Sequence, residues 1–89
     1  MTSATEATPD RRAGTSISKH EGVEVGQWFR TPDSTYGPGI TQEVVDLEWN
    51  QAAGGAIVYL RNYRDDRVYS APFTSWRTGV RATLPPWAE

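Results

Sequence analysis

All the aromatic side chains of this chain, four Trp, four Tyr and two Phe, lie between Trp28 and Trp87. Each ring can bury ~150–250 Å², which is worth up to roughly 4–6 kcal/mol gross. The chain contains no Cys, so neither a disulfide nor a thiolate zinc site can reinforce it. At 89 residues it makes one domain at most, and domains this small bury only about 60% of their unfolded surface. The fold has to be built around rings.

Residues 1–20 read MTSATEATPDRRAGTSISKH, with Ile17 as the only strong hydrophobe after Met1. Such a stretch cannot offset the entropy of ordering it. A flexible tail over residues 1–20 and a single domain over residues 21–89 are therefore expected. The N-terminus lacks the apolar run of a secretory leader, about 7–15 residues. Nor does any segment approach the roughly 20 apolar residues that cross a bilayer. A soluble, cytoplasmic protein is expected.

Period-two alternation from Val23, turning aromatic at Trp28-Phe29, reads as a strand over residues 23–30. Residues 31–39 carry Pro32-Asp33 and Gly37-Pro38-Gly39 and read as a loop between strands, a favoured place for recognition. Residues 40–53 fit two patterns. As a strand, Val45, Leu47 and Trp49 share one face, with Val44, Asp46 and Glu48 on the other. As a helix, Val45, Trp49, Ala52 and Ala53 form a stripe that Gly54 terminates. Gly54-Gly55 reads as a hairpin turn, and residues 56–63 form the clearest strand of the chain. Arg64-Asp65-Asp66-Arg67 turns it into a short strand ended by Pro72. Residues 73–76 then make one helical turn, and residues 80–84 a last strand before Pro85-Pro86.

The expected class is all-β, or α+β if residues 40–53 are helical, arranged as a small half-open barrel of four to five antiparallel strands. Val25-Gly26-Gln27-Trp28, Gly55-Ala56-Ile57-Val58-Tyr59-Leu60 and Phe73-Thr74-Ser75-Trp76 together resemble the SH3-like small barrels, including the Tudor and KOW-type modules. The resemblance implies that fold and a role in binding. The Ala-Leu-Tyr-Asp-Tyr ligand motif of signalling SH3 domains is not among these residues.

Catalysis is not expected. The only His, His20, falls at the edge of the tail, and nucleophilic triads have no Cys or rigid imidazole to draw on. Asp65-Asp66 reads as a solvated hairpin tip, and Glu43, Asp46 and Glu48 as a wet strand face and not a cation site. Gly37-Pro38-Gly39 lacks the Lys and helix of a phosphate loop. No cofactor or metal is expected.

Binding is the stronger reading. The net charge of −2 is divided unevenly. Residues 21–55 set six carboxylates against Arg30 alone, whereas residues 56–89 carry Arg61, Arg64, Arg67, Arg77 and Arg81. On the strand over residues 56–63, alternation places Tyr59, Arg61 and Tyr63 on an outward row. With Tyr36 from the loop, Arg64 and Arg67, they form the candidate partner-binding set. Guanidinium groups recognise carboxylates in bidentate fashion, so a protein-interaction module is the leading reading. Nucleic acid is the alternative, because cations track phosphates while rings stack on bases. The negative overall charge weighs against it. Leu84-Pro85-Pro86-Trp87 is expected to fold back, with Trp87 covering an end of the core.

Overall fold

Gly55, Ala56 and the alternating Ile57-Val58-Tyr59-Leu60 set the centre of the sheet, since β-branched and aromatic residues suit a pleated, half-buried surface. The computed structural model describes residues 14–88. Its strands are β1 (Thr15–Ile17), β2 (Lys19–His20), β3 (Val23–Glu24), β4 (Trp28–Arg30), β5 (Thr41–Asn50), β6 (Gly55–Asn62), β7 (Val68–Pro72) and β8 (Arg81–Thr83). One short helix, α1 (Phe73–Thr78), joins β7 to β8. The fold is therefore a small antiparallel β fold. The main sheet runs β7-β6-β5-β4-β8, with β1 added beside β5, and β2 pairs with β3 in a separate hairpin.

Residues 40–53 resolve in favour of the strand. Thr41–Asn50 is extended, and a single 3₁₀ turn, Gln51–Ala53, follows it. Asn50 caps that turn, its side-chain oxygen accepting from the Ala53 amide at 3.1 Å. The β5–β6 connection is thus longer than the Gly54-Gly55 turn expected, and Asn50 pairs with Gly55 across it. The faces of β5 also differ from simple alternation, because the register with β6 shifts between Val44 and Asp46. Val45 is the extra residue of a β-bulge. Val44 opposite Leu60 and Leu47 opposite Val58 consequently both enter the core, which alternation alone forbids.

The core collects Val23, Phe29, Val44, Leu47, Val58, Leu60, Phe73, Trp76 and Val80. Fully burying such side chains contributes about 1.5–3 kcal/mol each. Trp76 meets Phe29 edge-on at 4.9 Å between ring centres and Phe73 at 5.8 Å. Gln42 is buried beside these rings with its amide satisfied. Its oxygen accepts from Trp76 Nε1 at 3.1 Å, and its nitrogen donates to Asn62 Oδ1 at 3.2 Å and to the Tyr69 hydroxyl. A buried amide without these partners would cost about 1–3 kcal/mol.

The expected tail is ordered from residue 14, while residues 1–13 lie outside the described residues. β1 pairs antiparallel with the second half of β5, Ile17 opposite Leu47. Gly14 makes that approach feasible, since a Cβ there would lie 2.2 Å from the Trp49 carbonyl oxygen. Its amide donates to buried Glu48 at 2.9 Å. β2 and β3 are joined by Glu21-Gly22, both with positive φ (49° and 85°), the sign pattern of a type I′ hairpin turn. His20 is accordingly fixed in a strand, its ring edge-on to Phe73 at 4.6 Å. The single strand expected over residues 23–30 is broken at Gly26, where φ is 97°. The chain there turns toward β5, the Gly26 amide donating to the Val44 carbonyl at 2.7 Å.

Candidate functional site

Directly opposed residues in antiparallel strands share a face, so the register defines the outward surface of the sheet. Arg81 and Thr83 of β8 lie opposite Arg30 and Trp28 of β4. Arg30 and Trp28 in turn lie opposite Thr41 and Glu43 of β5, and Glu43 lies opposite Arg61 of β6. Tyr63 follows on the same side, its amide donating to the Thr41 carbonyl at 2.9 Å. Three strands, β8, β4 and β6, thus present Arg81, Trp28, Arg30 and Arg61 on one surface, with Tyr63 just past the end of β6.

The expected row of Tyr59, Arg61 and Tyr63 divides here. Tyr59 is only 5% exposed, and its hydroxyl donates to the buried carboxylate of Glu48. It serves the interior, because the bulge at Val45 brings Glu48 to its side of the sheet. Arg61 is outward, but its guanidinium is already held by Glu43 and Asp66. Hydrogen bonds that it donates to Asp66 first and Glu43 second raise its pKa above the ordinary arginine value, so it stays cationic and occupied. Asp66, at the tip of the β6–β7 turn with φ 63°, is thereby part of the fold, as a hairpin tip should be.

Tyr63 is the free member, 53% exposed. Its ring meets that of Trp28 at 6.1 Å, and Trp87 meets the same indole at 5.3 Å, both edge-on. Trp28 is thereby only 4% exposed, while Trp87 remains 70% exposed. The C-terminal segment folds back in a 3₁₀ turn over Pro86–Ala88, but Trp87 lies against Trp28 and not over an end of the core. It covers the outward face of β4.

The loop over residues 31–39 borders this surface and is internally braced. Asp33 Oδ1 accepts from the Gly39 amide at 2.7 Å, and Thr31 Oγ1 accepts from the Ile40 amide at 2.8 Å. At its tip Tyr36 is 98% exposed. A depression of about 270 Å³ between the loop and Arg64 is lined by Pro32, Tyr36, Pro38, Ile40 and Arg64. A neighbouring one of about 160 Å³ lies among Arg30, Ile40, Thr41, Tyr63 and Arg64. A third of about 380 Å³ runs between Arg30 and Arg81.

Of the residues named from sequence, Tyr36, Tyr63 and Arg64 come together at the first two depressions. Arg67 lies across the β6–β7 turn and lines none of the three. The sequence reading missed Arg30 and Arg81, which only strand register brings together, and Trp28, whose neighbour Phe29 takes the core position. Among the described residues no three His, Cys, Asp or Glu side chains gather to hold a metal ion. His20 Nε2 has Glu21 beside it at 3.5 Å. No described helix is long and apolar enough to cross a membrane. Comparisons with protein-family models, curated proteins and solved structures find no match to this chain.

Proposed function

We propose that this protein is a non-catalytic interaction module. It docks a segment of another protein on the surface that Tyr63 and Trp87 form over buried Trp28, bordered by the loop over residues 31–39 with Tyr36 and by Arg64. The reading rests on one observation. Tyr36, Tyr63 and Trp87 are exposed at 98%, 53% and 70% on a cysteine-free domain that has aromatic area to conserve for its own core. Aromatic and arginine side chains of this kind are the residues that anchor interfaces. Strand order β7-β6-β5-β4-β8, with the last strand beside β4, supports an SH3-like barrel as the scaffold. A fold that needs no disulfide suits the cytoplasm.

Protein suits this surface better than nucleic acid. Arg61 is occupied by its own carboxylates, and Asp33 stands 3.9 Å from Arg30. A continuous phosphate track would meet these acids. Selection of a random dodecapeptide library on the full-length chain tests the reading. Enriched peptides should lose binding on Tyr63→Ala and on Tyr36→Ala, with thermal unfolding unchanged in Tyr36→Ala and still cooperative in Tyr63→Ala. A library that yields no enriched peptide, or peptides indifferent to both substitutions, defeats it.

A further inference from the structure

Two cross-strand charge pairs sit on the outward surface. Glu43 opposite Arg61 is complementary and closed by Asp66. Arg30 opposite Arg81 is not: two cationic residues occupy directly opposed positions in the β4–β8 register. Like charges placed so are destabilising, and among the described residues Arg81 has no ion pair at all. Arg30 has only Thr41 Oγ1 at 3.2 Å and the distant Asp33. On its other flank Arg30 shares a depression with Arg64 and Tyr63, and Arg64 too has no ion pair among the described residues. Three arginines therefore cross the sheet in a row, Arg81, Arg30 and Arg64, beside Trp28, Tyr63 and Trp87. Depressions of about 380 Å³ and 160 Å³ lie between them.

From this juxtaposition we infer that the docked segment is acidic. It is an extended stretch of a partner protein whose spaced carboxylates seat between Arg81 and Arg30 and between Arg30 and Arg64. An anion in each depression offsets the repulsion between the opposed arginines, and guanidinium forks match carboxylates in geometry as well as charge. Asp33 lines the larger depression too, 3.9 Å from Arg30, so Arg81 is the cation there that has no ion pair among the described residues. This inference rests on the interaction reading above and gives its partner a chemistry.

The test exploits the fact that one substitution should move stability and binding in opposite senses. Arg81→Glu converts the like pair into a complementary one, so its melting temperature should equal or exceed that of the parent. Fluorescein-labelled hexaglutamate should bind the full-length parent saturably, with NMR shifts at the Arg30, Arg64 and Arg81 Nε–H signals. Binding should weaken by about tenfold or more in Arg81→Glu. Arg67→Glu, with the same change in net charge outside the row, should bind within about twofold of the parent. Equal loss in both variants would mean attraction by net charge alone and would overturn the inference. Equal hexaglutamate binding by parent and Arg81→Glu would also overturn it, and the interaction reading would survive if library peptides still depend on Tyr63. Saturable binding of oligo(dT) in place of hexaglutamate, lost in Arg81→Glu, would overturn both.

Discussion

Trp28 and Phe29 are neighbours in β4, yet they found two different aromatic groups. Phe29 turns inward and meets Trp76 edge-on, Trp76 meets Phe73 at a tilt, and all three rings are buried among aliphatic side chains. Trp28 turns outward to Tyr63 and Trp87, which shield it while staying wet themselves. The inner group is closed on all sides by β5, β6 and α1. The outer group is closed on one side only, and its open side carries unpaired cations. Identical ring chemistry therefore serves cohesion in one place and, on the interaction reading proposed above, recognition in the other. What separates the two is the company each ring keeps, since aromatic propensity and local sequence are the same for both.

The sharpest way to break this contrast is to truncate each group in turn. Phe29→Ala should cost about 3–5 kcal/mol in denaturant melts, the range for a large buried ring, and leave a marginal domain. Gln42→Ala comes next, since Trp76 Nε1 and Tyr69 would lose their shared partner; a loss of about 1–3 kcal/mol is expected by the same melts. Trp87→Ala should cost only about 0.5–1.5 kcal/mol, the worth of an edge-on aromatic pair. It should also shift tryptophan emission to the red as Trp28 becomes wet. Tyr36→Ala should change stability by less than about 0.5 kcal/mol, as exposed substitutions do, while removing peptide binding. If Trp87→Ala destabilised as much as Phe29→Ala, the outer group would be a second core, and the distinction would collapse.

β6 and α1 could be read from the sequence because their signals are local. An alternating apolar run bounded by Gly54-Gly55 makes the first, and Pro72 ahead of Phe73-Thr74-Ser75-Trp76 makes the second. The loop over residues 31–39 and the return of Trp87 were legible for similar reasons. β1 was not, because Thr15-Ser16-Ile17 has little apolar area of its own and is held by an edge of β5 and by what Gly14 leaves out. The interior position of Tyr59 was hidden as well, since it depends on a bulge one strand away. Nor does any sequence spacing announce that Arg30 and Arg81 will stand opposite each other. That meeting is decided by the whole path from β4 through α1. The candidate set accordingly named Tyr36, Tyr63 and Arg64, which the structure makes neighbours, and omitted Arg30 and Arg81.

Because Val45 has no opposite number on β6, β5 behaves like a text with one silent letter. Give that letter a sound, so that Val45 pairs with Tyr59, and every later position changes side: Asp46 and Glu48 would be driven among the aliphatic side chains while Leu47 was cast out to water. Deleting Val45, by contrast, closes the bulge and leaves Asp46, Leu47 and Glu48 on the faces they hold now, so that deletion should be mild for folding. A distant cousin of this chain should therefore be aligned with a gap allowed at Val45 before residue identities are compared.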